Sequence, residues 1–340
     1  MDSEQRAQPR LSVVVAAYNV APYIAQCIES VHTQCTADCA VELIIVIDGA
    51  TDSTQAIVER VVAAPANVPV RIVGQENQGL SAARNTGLSH VRTEYVTFLD
   101  GDDFWRPNYL SEVTAALDLH PDADIVEYDA DIVDPDGAFM SGLQISSGPS
   151  DSVAEVCKED FLRVFRCYAW ARVLRTSLAA QVPFPVGRRF EDTATTPWLY
   201  WASAKTVSIG RRLIAYRQRT DSILQCPEPQ DIEDLVEACR NASQMYRMQT
   251  CTYWQRVAHR IFQQTCRRIT LQPLSSWPES IKLASAGIEG VPAPRGLLRS
   301  IQMHFTGLYV SLLYFKRRWV EPVGRRRPAS RNALRTSVTG

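Results

Sequence analysis

Three times between residues 11 and 91 an apolar run of strand length leads through a short polar turn into a stretch with apolar residues at helical spacing. This alternation constrains the fold more than any other property of the chain. LSVVVAA from Leu11 precedes PYIAQCIESVHTQ. VELIIVI at 41–47 leads through DGATDST into QAIVERVVA, VRIV at 70–73 leads through GQENQG into LSAARNTGLSHV, and YVTFLD closes on Asp100. Runs that are apolar throughout belong to strands buried on both faces, and helices between them make consecutive strands parallel. The pattern predicts a Rossmann-like α/β domain, a mostly parallel sheet flanked by helices.

In such sheets the ligand crevice lies beyond the carboxyl ends of the strands. The residues there are polar: Tyr18 and Asn19 after the first run, Asp48, Gly49 and Asp52 after the second, and Asp100, Asp102 and Asp103 after the fourth. The first turn reads AAYNVAP and lacks a GxGxxG or P-loop glycine pattern, so neither a dinucleotide site nor a P-loop is expected. FLDGDD at 98–103 sets three carboxylates within four residues, a concentration of charge that calls for a cation or hydrogen-bond donors. Mn2+ or Mg2+ suits such hard oxygen ligands, the rest of its shell coming from a phosphorylated substrate. The alternative is a solvated acidic turn ahead of the helix that follows Pro107.

From about residue 10 to 222 the chain resembles glycosyltransferase family 2, inverting sugar transferases of the GT-A fold. The resemblance rests on five motifs in order: SVVVAAYN at 12–19, VIDGATDST at 46–54, ENQGLSAARNTGL at 76–88, FLDGDD at 98–103 and FEDTATT at 190–196. It implies donor contacts from Ala17, Tyr18, Asp48, Asn77, Gly79, Arg84, Asp100, Gly101 and Arg217. Asp48 would meet the ring N–H of a uracil-type base, and Arg84 and Arg217 the diphosphate. The second motif departs from the family pattern, with Ile47 in place of an acid and Ala50 in place of serine, which leaves the base less firmly assigned. Asp102, with Asp100, would hold the metal. Asp192 would be the catalytic base, supported by Glu191, whose side chain points the other way if the segment is extended. The other reading pairs these two acids with Arg188 or Arg189. Trp170, in WARVLR, would stack on the acceptor sugar, with a core position as its alternative.

The resemblance and the chain's organisation together give a GT-A domain over 11–225, divided into a nucleotide-sugar half (11–105) and an acceptor half (106–225). Residues 1–10 are expected to be disordered, and SGLQISSGPSDS at 141–152 reads as a mobile loop. Apolar spacing from Asp231 to about Thr270 predicts a helical pair within a C-terminal extension over 231–290. At 295–320, Leu297, Ile301, Phe305, Leu308, Leu312 and Phe315 form one stripe of an amphipathic helix, followed by a disordered basic tail over 321–340. Residues 291–340 hold ten basic side chains and one acid, although the chain's net charge is −1. That segregation suits a helix lying on an anionic membrane surface or packed on the domain, whereas the overall balance of charge gives the whole molecule no reason to seek nucleic acid.

The nine cysteines show no CxxC pairing, so reduced thiols are expected. No signal-peptide core and no membrane span is legible, which predicts a cytoplasmic protein, peripheral on the inner face of the membrane if the tail binds lipid. The expected activity is metal-dependent, inverting transfer of a sugar from a nucleotide donor, by preference a UDP-sugar, to a saccharide or lipid-linked saccharide in envelope polysaccharide assembly. Competing readings are a nucleotidylyltransferase, which would need a glycine-rich basic first turn, and an inactive nucleotide-sugar-binding or membrane scaffold protein.

Overall fold

A computed structural model describes residues 9–35, 41–65, 67–219, 225–293 and 306–319. The expectations for 1–8, for 294–305 and for the basic tail lie outside the described residues. Strands β1 (Leu11–Ala17), β2 (Val41–Asp48), β3 (Val70–Gln75) and β4 (Tyr95–Asp100) run parallel in the order β3-β2-β1-β4. Period-two alternation splits β1 between two cores: Val14 and Ala16 face one, Val13, Val15 and Ala17 the other. Both faces are covered, which is why these runs are apolar throughout.

Helices α1 (Ile24–His32), α2 (Thr54–Val62) and α3 (Leu80–His90) make the crossovers. Helix α3 lies so close to the sheet that a Cβ at Gly87 would sit 2.3 Å from a Val14 methyl. Only glycine permits that approach, and it brings the polar start of α3 against the strand ends.

Beyond β4 the sheet is mixed. After the two-residue β5 (Phe104–Trp105) and α4 (Tyr109–Leu119), β6 (Ile125–Val133) is parallel to β10 (Thr206–Arg217), while β9 (Arg172–Arg175) joins β4 to β6 antiparallel to both. The segment expected to be a mobile loop is instead fixed. Its start belongs to β7 (Phe139–Leu143), and the N–H groups of Ile145 and Ser146 donate to Asp129 at 2.7 Å. Strand β8 (Val153–Val156) then pairs with β10. Helices α5 (Lys158–Val164), α6 (Thr176–Ala179) and α7 (Glu191–Ala202) complete the 106–225 region.

The helical pair is α8 (Gln230–Gln249) and α9 (Thr252–Ile269), joined where Thr250 takes a left-handed conformation. With α10 (Trp277–Gly287) they cover one face of the sheet. Helix α11 (Thr306–Trp319) packs there through Val310, Leu313 and Tyr314, with Tyr314 edge-on to Trp277. The apolar stripe of the sequence turns the other way, Leu308, Leu312 and Phe315 each being at least half exposed. Cys35 is disulfide-bonded, which corrects the expectation of reduced thiols throughout.

Candidate active site

Because β1 to β4 are parallel neighbours, their polar ends share one edge: Ala16 is in register with Asp100, Ala17 with Ile47, and Asp48 with Gln75. The turns are tied to each other. Asn19, in a left-handed conformation at φ 50°, accepts the Thr51 N–H at 2.8 Å, and Asp52 accepts that of Ala21 at 3.1 Å. Asp48 is buried and its carboxylate accepts the Gln75 amide at 2.7 Å and the N–H groups of Gln78 and Gly79 at 2.9 Å. It therefore holds the 75–79 loop in shape rather than presenting an open carboxylate to a base. Asn77 and Tyr18 stand exposed along this edge, whereas Ala17 is buried and offers only backbone.

Arg84, on α3, is 3% exposed and spans two acids: one nitrogen lies 2.7 Å from Asp100 and another 2.5 Å from Glu191. Burial alone would lower its pKa, but Asp100 and Glu191 more than offset this and hold it charged. One cation thus fastens the end of β4 to the first turn of α7. Gly101 donates its N–H to Ala16, closing the turn after β4. Asp102 faces Arg219 at 3.2 Å, and burial together with the charge of Asp100 pushes its carboxyl up to about 6. Asp103 is buried, and one of its oxygens accepts the Arg217 N–H at 2.7 Å while the other lacks a partner among the described residues.

Among the described residues no group of three or more His, Cys, Asp or Glu side chains is placed to hold a metal. Asp100 and Asp102 nevertheless fit a hard divalent ion that takes its remaining ligands from phosphate. They are oxygen donors at one strand end, and the Asp102 carboxyl is raised by burial first and by the charge of Asp100 second, which Arg219 offsets only in part.

Glu191 and Asp192 open α7, and Phe190 before them is left-handed at φ 57°. They are not extended, which corrects the expectation that they face opposite sides of a strand. Nor do they pair with the neighbouring arginines: Arg188 meets Asp234 at 2.8 Å and Arg189 meets Asp231 at 2.7 Å. Asp192 accepts the Thr193 N–H at 2.6 Å, while burial and then the charge of Glu191 push its carboxyl up to about 7. Its side chain opens into a cavity of about 470 Å³ formed by the 164–168 segment, the start of α7 and one face of α9.

The family model of glycosyl transferase family 2 matches residues 12–156. Glycosyltransferase GlyG of Streptococcus pneumoniae is 31% identical over 63% of this chain and 73% of its own length. The chain belongs to glycosyltransferase family 2. Glycosyltransferase GlyA of the same organism is 29% identical over 67% of this chain, which spans only 33% of GlyA. Among solved structures, residues 1–349 of TarS from S. aureus, in complex with UDP-GlcNAc, superpose with a TM-score of 0.70 at 20% identity over 91% of this chain and 87% of that one, a likeness of fold.

Against the family's motifs two residues need correction. Trp170 is 3% exposed and packed near Tyr168 and Tyr216, a core residue, and the aromatic residues that line the cavity are Phe165, Tyr168 and Phe190. Arg217 is equally buried and spends its guanidinium on the carbonyls of Asp102 (2.8 Å) and Pro135 (2.6 Å) and on Gln26 (2.6 Å), so it braces the acidic turn instead of facing a diphosphate. WARVLR also contains Arg172, to which the motif assigned no role. Fully buried, it donates to the carbonyls of Arg166 and Tyr168 and to the Tyr200 hydroxyl, fixing the segment that forms one cavity wall. Arg260 and Arg267 were legible only as a seven-residue spacing, which places them on one face of α9.

Proposed function

We propose that the chain is a metal-dependent inverting glycosyltransferase that moves a hexosyl or N-acetylhexosaminyl group from a nucleotide sugar to a saccharide or lipid-linked saccharide in envelope polysaccharide assembly. The observation that carries this reading is Arg84 bridging Asp100 and Glu191, since it joins the acidic strand end to the segment that bears Asp192. UDP-GlcNAc in the TarS complex supports a UDP-sugar as donor.

In this reading the donor lies along the ends of β1 to β4, with Tyr18, Asn77 and the loop held by Asp48 on its nucleotide side. Asp192 takes the proton from the acceptor hydroxyl as that oxygen attacks the anomeric carbon, and the nucleoside diphosphate departs from the opposite face with inversion. Glu191 keeps Arg84 in place and raises the basicity of its neighbour. Asp102 and Asp100 would hold Mn2+ or Mg2+; when bound, the ion supplies Lewis-acid stabilisation of the diphosphate leaving group.

The exposed Leu308, Leu312 and Phe315 with Lys316 and Arg317 support docking of α11 on an anionic membrane surface at the inner face, where lipid-linked acceptors would be met. No helix among the described residues is long and apolar enough to cross a membrane.

Turnover of UDP-sugars with manganese, monitored as UDP release and lost in Asp102→Ala and Asp192→Asn, tests the assignment. Donor binding without turnover in the unsubstituted protein would favour the scaffold reading.

A further inference from the structure

The cavity in front of Asp192 has a composition that the proposed reaction does not require. Three guanidinium groups line it, Arg166 from the segment after α5 and Arg260 and Arg267 from α9, and Asp192 is the single acid in its wall. Arg260 is anchored to the carbonyls of Leu162 (2.9 Å) and Arg163 (2.8 Å). Arg166 and Arg267 form no ion pair among the described residues. Their neighbours do: Arg188, Arg189 and Arg268 are matched by Asp234 and by Asp231.

The cavity is also built, not incidental. Buried Arg172 fixes the backbone of Arg166, and Gln264 on α9 meets the Thr193 hydroxyl beside Asp192 at 3.3 Å. Phe190, one of its apolar walls, is held at positive φ, a conformation that costs about 1–3 kcal/mol and persists only where surroundings impose it. The planar guanidinium groups of Arg166 and Arg267, without carboxylate partners among the described residues and set in a concavity with aromatic walls, match an anion carried on a sugar: the forks bind phosphate or carboxylate oxygens and the rings cover the apolar sugar face.

We infer that the acceptor is an anionic saccharide whose phosphate or carboxylate is held by Arg166 and Arg267 while its hydroxyl is presented to Asp192. This rests on the proposed glycosyl transfer and names the acceptor class for the same site.

Calorimetric titration of the full chain with glucose, glucose 6-phosphate and glucuronate tests it, with UDP in saturating amount to fill the donor side. Glucose 6-phosphate or glucuronate is expected to bind at least about tenfold more tightly than glucose, with the advantage shrinking at high salt. The stronger of the two anions identifies the charged group. In Arg166→Gln/Arg267→Gln, whose melting curve verifies folding, that advantage is expected to vanish. Equal affinities for all three sugars, or an anion preference that survives the double substitution, would overturn the inference. Failure of UDP itself to bind would count against the donor assignment instead. The titrations are then run without UDP, and the arginine dependence still decides the question.

Discussion

The guanidinium of Arg84 lies 2.5 Å from Glu191, a residue 107 positions further along the chain, and 2.7 Å from Asp100 on its other side. It is the electrostatic keystone between the two halves of the site. Replacing it with methionine leaves Glu191 buried beside Asp192 without a counter-charge. We expect Arg84→Met to destabilise the fold by about 3–5 kcal/mol, measured by urea unfolding, with Arg84→Lys intermediate because a point charge cannot serve both acids with the same fork. Stability within about 0.5 kcal/mol of the parent would contradict the bridging role.

In the proposed mechanism Asp192 sets the pH profile. A base must be ionised, and burial with Glu191 pushes this carboxyl up to about 7. Transfer measured as kcat/KM is therefore expected to rise through about pH 7, whereas Asp192→Asn is expected to lower kcat by about 10²–10⁴. A flat profile between pH 5.5 and 8 would argue for another base.

The same raised pKa has a stability consequence of definite sign. The folded protein retains the Asp192 proton at pH values where the unfolded chain has lost it, so this contribution is complete below the ordinary aspartate range and fades as pH rises through about 7. Asp192→Asn, which cannot ionise, is expected to melt close to the parent at pH 4 and above it at pH 8.5, by on the order of 1–3 kcal/mol. Differential scanning fluorimetry across that range measures the crossover.

Gly49, at φ 65°, packs where a Cβ would come within 2.6 Å of the Asn77 backbone nitrogen. Gly49→Ala should displace the 75–79 loop that Asp48 shapes, weakening UDP binding by about tenfold or more at a strain cost of roughly 1–3 kcal/mol. Isothermal titration with UDP reads this directly, and unchanged affinity would remove the loop from the donor site.

Membrane docking through α11 predicts that Leu308→Glu/Leu312→Glu abolishes flotation with vesicles containing phosphatidylglycerol while leaving the thermal melt within about 0.5 kcal/mol of the parent, since both side chains are already exposed. Undiminished flotation would place the contact elsewhere.

The parallel strands within 11–100 were legible because the sheet buries both faces of β1, β2 and β4, and the local pattern of LSVVVAA or VELIIVI then has no other use, whereas their order β3-β2-β1-β4 was not. The acidic turn after β4 was legible for the same reason, since strand ends in a parallel sheet must share an edge. Other readings failed where the partner is distant in sequence. WARVLR does not reveal that Trp170 is packed between tyrosines, and YRQR does not reveal that Arg217 is consumed by carbonyls more than 80 residues away. The stripe in α11 is evident from its period, but which face meets α9 and α10 is not, because Val310, Leu313 and Tyr314 offer a second apolar face.

By itself the sequence determined the parallel α/β half, the placing of its polar turns on one edge and the family to which the chain belongs, all of which follow from local periodicity and short motifs. Only the tertiary structure decided that Asp100 and Glu191 share one cation, that Asp48 is turned inward and that arginines of α9 stand before Asp192. Those facts depend on long-range packing, in which a charge is used or left over according to what the fold brings beside it.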